Sequence, residues 1–135
     1  MIPLVIDAAR GVRPNIKLFG TDYPTPDATA VRDYIHVNDL ADAHVRALNR
    51  LEADTGNLAL NLGTGGGNSV RQVITAVEQV SGKRVLVEEY PRRAGDPAEL
   101  VADPTRARTL LDWKPQYADI TTIVEHAWKW HTRKA

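Results

Sequence analysis

An α/β fold is predicted, and three features of the chain predict it. Short apolar runs recur along it, as strands require. Longer segments between them carry apolar residues at helical spacing. Gly, Pro and Asp clusters separate the two kinds, so helices and strands alternate.

The first helix is expected over Ile2 to Arg10, with Ile2, Val5, Ile6 and Ala9 on one side and Gly11 beyond its end. Ile16 to Phe19 is a short apolar strand closed by Gly20. Asp22 to Ala30 is a polar loop too short to be an interdomain linker. Ala30 to Val37 alternates loosely and reads as a strand edge or extended loop. Asn38 is then expected to cap a helix from Asp39 to Glu52 that buries Leu40, Ala43, Ala47, Leu48 and Leu51. Asp39 and Asp42 favour the positive end of that helix. Leu58 to Leu62 reads as a strand covered on both faces.

Ser69-Val70-Arg71-Gln72 has the form of a capping box. It opens a helix with Val70, Val73, Ile74, Val77 and Val80 on one face, stopped by Gly82. Val85 to Tyr90 is a further strand. Asp103 followed by Pro104 opens a short helix through Leu111, and Asp119 caps the last one, with Ile120, Ile123, Val124, Ala127 and Trp128 on its apolar side. Trp113, Trp128 and Trp130 are expected to pack in the last two helices.

Composition narrows the function. The 135 residues fit one domain, read here as a single unit over 1–135. Seventeen basic and 17 acidic side chains cancel, which argues against a nucleic-acid or anionic-membrane surface. With no cysteine there is no disulfide, thiolate metal site or cysteine nucleophile, in keeping with a cytoplasmic setting. No apolar run is long enough to span a bilayer, and the first residues lack the basic start of a signal peptide. His126 and His131 stand five apart, not at the spacing of a zinc pair, and all four histidines are read as structural. Gly63-Thr64-Gly65-Gly66-Gly67-Asn68-Ser69 lies between a strand and a helix. Its third fingerprint glycine is replaced by Asn68, so it is read as a tight turn plus a helix cap.

Several stretches carry a family pattern. Phe19-Gly20-Thr21-Asp22-Tyr23-Pro24-Thr25-Pro26-Asp27 leads to Val31-Arg32-Asp33-Tyr34-Ile35-His36-Val37 and then Asp39-Leu40-Ala41-Asp42-Ala43-His44. Pro91-Arg92-Arg93-Ala94-Gly95-Asp96-Pro97 and Ala102-Asp103-Pro104 follow. Together they resemble the C-terminal, substrate-binding portion of the UDP-glucose 4-epimerases (UDP-galactose 4-epimerases), extended short-chain dehydrogenases/reductases. The resemblance covers essentially the whole chain. It implies a small mixed-sheet domain with packed helices, lacking the N-terminal Rossmann domain. It also implies that the NAD site and the catalytic Tyr-x-x-x-Lys lie outside this chain. Four residues after Tyr23, Tyr34, Tyr90 and Tyr117 stand Asp27, Asn38, Ala94 and Thr121, so no such pair occurs. This chain then supplies no catalytic residue and binds no cofactor, while the intact enzyme uses NAD.

The family oxidises C4 of a UDP-sugar, lets the 4-keto sugar swing about its phosphate link, and returns hydride to the other face. Such a cycle needs a firm hold on UDP and a loose hold on the sugar. By resemblance Arg32 and Arg93 clamp the pyrophosphate through planar guanidiniums. Asp96, after the turn at Gly95, accepts from the ribose hydroxyls. Lys17, Leu18 and Phe19 form the uracil-binding strand, gripping the base mainly by backbone groups. Val70 lies against the base or is simple helix core, and Leu100 falls where sugar-pocket size is set. The residues alone also allow plainer roles: Arg32 paired with Asp33 or Asp39, Arg93 solvated, Asp96 a cap. The chain is expected to have no epimerase activity by itself and to self-associate, since a sheet edge meant for the missing domain is left open. Dehydratases, decarboxylases and pentose epimerases share the scaffold, and a free-standing nucleotide-sugar binding module without chemistry is a further reading. The Phe19 to Asp27 stretch favours the 4-epimerases.

Overall fold

A computed structural model describes residues 1–53 and 56–133. The chain runs α1 (Ile2–Ala9), β1 (Ile16–Phe19), β2 (Val31–Arg32), α2 (Val37–Glu52), β3 (Asn68–Ser69), α3 (Val70–Ser81), β4 (Val87–Tyr90), β5 (Glu99–Leu100), α4 (Thr105–Leu111) and α5 (Ile120–Thr132). The α/β expectation holds, with two small sheets in place of one. β1 pairs in parallel with β4, Ile16 opposite Val87 and Phe19 opposite Tyr90. β2 lies between β3, antiparallel, and β5, parallel. The second sheet is therefore mixed.

The helices that pack are those with the clearest periodicity. α1, α3 and α5 share one core with β1, where Val5, Ile6, Val73, Val77 and Val124 are fully buried. α3 is closed at both ends as its residues dictate. Ser69 accepts from the Gln72 backbone while the Gln72 side chain accepts from the Ser69 N–H, and Gly82 ends the helix at φ +66°. Asp119 caps α5 by accepting from the Thr122 N–H. A smaller core joins α2 to α4 through Ala43, Ala107, Leu111 and Trp113.

Five expectations need correction. The cap of α2 is His36, not Asn38: its ring accepts from the Asn38 N–H at 3.0 Å. Leu48 and Leu51 face outward, 56% and 63% exposed, because α2 turns its small residues to α4. Leu58 to Leu62 form no strand; among the described residues no neighbouring strand supplies a ladder for them. Asp103 still ties the start of α4, accepting from the Thr105 N–H at 3.0 Å, but the helix begins one residue later than expected, at Thr105. Trp130 is 61% exposed beneath the Arg133 guanidinium, whereas Trp113 is buried with its indole N–H donating to the Asp39 carbonyl. Among the described residues no helix is long and apolar enough to cross a membrane, and no side-chain cluster fits a metal ion.

Candidate functional site

A candidate cleft opens where the two sheets meet α1 and α3. It encloses about 310 Å³ and is lined by Lys17, Leu18 and Phe19 of β1, Arg32 and Tyr34 at and after β2, Val70 of α3, and Arg93 and Asp96 of the loop after β4. Seven of the eight residues singled out from the sequence thus share one hollow. Leu100 does not line it. It stands beside Arg32 in the β2–β5 pairing and is 62% exposed.

Each wall has a local cause. β1 is hydrogen-bonded to β4 on one edge, with Ile16 N–H donating to Leu86 O at 2.8 Å and Gly20 N–H to Tyr90 O at 2.8 Å. No other strand among the described residues pairs with β1, so its second edge keeps free backbone donors and acceptors beside the cleft. Leu18 is buried beneath, and the Lys17 ammonium sits 5.0 Å over the Tyr90 ring. Val70 serves both purposes open in the sequence: it packs against the main core and also lines the cleft.

The guanidiniums are held differently. Arg32 donates to its neighbour's carbonyl, Val31 O, at 2.7 Å and stands 3.8 Å from an Asp96 oxygen. That loose ion pair replaces the pairing with Asp33 or Asp39 that its neighbours suggested, since both carboxylates are engaged elsewhere. Arg93 sits over Phe19, its guanidinium carbon 3.8 Å from the ring centroid, a cation–π contact that does not use its N–H donors. Asp96 follows a turn closed by its own N–H to Arg93 O at 3.3 Å, with Gly95 at φ +82°. Lys17, Arg32 and Arg93 thus share the lining with one carboxylate, Asp96. Tyr34 completes it; burial pushes its phenol up, against the pull of Arg32, so it stays neutral.

The Gly63 turn is not part of the cleft. Asp33 fills it: the Thr64 N–H donates to both Asp33 oxygens at 3.1 Å and the Thr64 hydroxyl to Oδ1 at 2.7 Å. A Cβ at Gly63 would collide with the same carboxylate. The anion a glycine-rich turn attracts is supplied from within the chain, so this turn does not fit a dinucleotide phosphate. Asp39 has a comparable inward task, accepting from the Gln116 and Tyr117 N–H groups at 2.8 and 3.0 Å. It anchors the approach to α5, beyond the helix-end role its position suggested.

The cleft between the two small sheets thus brings Arg32, Arg93 and Asp96 together beside the open edge of β1. The chain belongs to the family described as GDP-mannose 4,6 dehydratase, which matches residues 14–126. Its relatives include several UDP-glucose 4-epimerases and a probable UDP-arabinose 4-epimerase of Oryza sativa subsp. japonica, 46% identical over 92% of this chain and 30% of its own length. The enzyme of Rhizobium meliloti (strain 1021) is 52% identical over 133 residues, covering 98% of this chain and 40% of its own length. A crystal structure of a UDP-glucose 4-epimerase superposes with a TM-score of 0.92 at 48% identity, covering 96% of this chain and 40% of that one. The Bifidobacterium longum enzyme, solved with NAD+ and UDP, gives a TM-score of 0.86 at 38% identity, covering 97% of this chain and 38% of that one. The chain therefore spans about 40% of the length of the UDP-glucose 4-epimerases it matches.

Proposed function

We propose that this chain is the UDP-sugar-binding part of a UDP-glucose 4-epimerase working in the cytoplasm. The observation that carries it is the single cleft in which Arg32, Arg93 and Asp96 meet the free edge of β1. In this reading the two arginines hold the diphosphate, the backbone of Lys17 to Phe19 reads the base beside Val70, and Asp96 accepts from the ribose. Its present pairing with Arg32 is loose, at 3.8 Å, so that a phosphate can take its place at the Arg32 terminal nitrogen not bonded to Val31 O. Leu100, outside the cleft, is left with the sugar end, where the remainder of the enzyme completes the pocket. Hydride chemistry belongs to NAD and to residues beyond this chain, which carries no Tyr-x-x-x-Lys.

Calorimetry with UDP tests the binding half. Binding is expected, and Arg93→Ala should weaken it by about 10- to 100-fold, the loss of one charge-assisted contact. If that variant binds UDP as tightly as its parent, the clamp is wrongly assigned. The catalytic half is tested by mixing the chain with NAD+ and UDP-galactose. No UDP-glucose should form, and turnover above the blank would overturn the division of labour.

A further inference from the structure

The loop that carries Arg93 and Asp96 has no regular structure between β4 and β5, yet its two ligand-facing side chains must be held in place. Its neighbour Arg92 has the means to do so. Successive residues of an extended segment point opposite ways. While Arg93 turns to Phe19, Arg92 turns to the β1–β2 loop. There its Nε–H donates to Asp22 Oδ1 at 2.7 Å, a terminal N–H donates to the Asp22 carbonyl, and the guanidinium lies 4.3 Å over the Tyr23 ring. Tyr23 is itself buried, 4% exposed, so the guanidinium rests against the packed interior. Gly20 leaves the room: a Cβ there would meet both the Tyr23 ring and Arg92 Cγ.

We propose that Arg92 is a positioning residue for the anion site, fastening the loop to Asp22 and Tyr23 so that Arg93 stays stacked on Phe19. Ion pairs at a surface usually contribute little. This one has two hydrogen bonds and a ring contact on one guanidinium, and it ties the loop between Pro91 and Pro97 to the β1–β2 loop. Its bearing on UDP rests on the function proposed above; its bearing on Arg93 does not.

The test reads Arg93 directly. In the full chain, the Arg93 Nε–H proton signal, assigned by its loss in Arg93→Lys, should be displaced by the ring current of Phe19. In Arg92→Ala that displacement should collapse toward the free-arginine position, while the backbone amides of α3 and α5 keep their shifts. Asp22→Ala, which removes only the carboxylate, should move the signal the same way and decides the matter if Arg92→Ala does not fold. An unmoved Arg93 signal overturns the proposal. UDP affinity should fall about five- to tenfold in Arg92→Ala, and Arg92→Ala added to Arg93→Ala should cost nothing more, because the first acts through the second. Full additivity would also overturn it. If the signal collapses but the parent binds no UDP, the positioning role stands and the binding reading fails.

Discussion

His36 shows how one residue's protonation can govern a helix. Its Nδ1 accepts from the Asn38 N–H, so the ring proton sits on Nε2 and is donated to His126 Nδ1 at 3.0 Å. The Tyr117 ring lies 4.5 Å away. A second proton on Nδ1 would face the Asn38 N–H and destroy the cap. Burial, with His126 adding to it and Asp39 opposing, lowers the His36 pKa below its ordinary 6.5. The folded state then binds fewer protons than the unfolded one between the lowered value and 6.5. Stability from this group is complete above 6.5 and is lost as pH falls through that window. Thermal melts should show a fall on acidification from 6.5 that shrinks in His36→Asn, which keeps a capping acceptor without titrating. Equal pH slopes for the two proteins would refute it.

At the scale of elements, α3 is the best-determined part of the chain, and its start is tied to more than its own turn. Ser69 caps the helix and also donates from its hydroxyl to Asp27, while the Asp27 carboxylate accepts from the Thr29 N–H and hydroxyl at 3.0 and 2.7 Å. Burial raises the Asp27 pKa, but these hydrogen bonds and nearby Arg71 outweigh it and hold the carboxyl below its ordinary 3.8. Ser69→Ala should therefore cost more than an ordinary cap, about 2 kcal/mol in urea unfolding against the usual ~1. A cost no larger than the usual ~1 kcal/mol of a cap would mean the Asp27 bond contributes nothing. The capping box was legible from Ser69 and Gln72 alone. The link to Asp27 was not, since 42 residues separate the two partners.

For the whole molecule, the apolar surface left uncovered is the telling feature. Val45, Leu48 and Leu51 form an exposed stripe along α2, 59%, 56% and 63% exposed. We propose that the remainder of the longer enzyme covers this face, and that the chain alone covers it by self-association. Light scattering should find the chain larger than a monomer, and Leu48→Glu with Leu51→Glu should reduce it to one. A monomeric parent would count against this.

The helices, the caps of α3 and α5 and the names of the residues that line the cleft were legible in the sequence. Periodicity, capping and short motifs involve atoms a few positions apart, which the order of residues sets directly. Only the folded chain decided that Lys17 to Phe19, Arg32, Val70, Arg93 and Asp96 share one hollow and that Leu100 stands outside it. It alone decided that Asp33 fills the glycine turn, that a histidine caps α2, and that Leu58 to Leu62 stay unpaired. These outcomes depend on partners tens of residues away, and a strand, a buried carboxylate or a binding cleft exists only when such partners arrive.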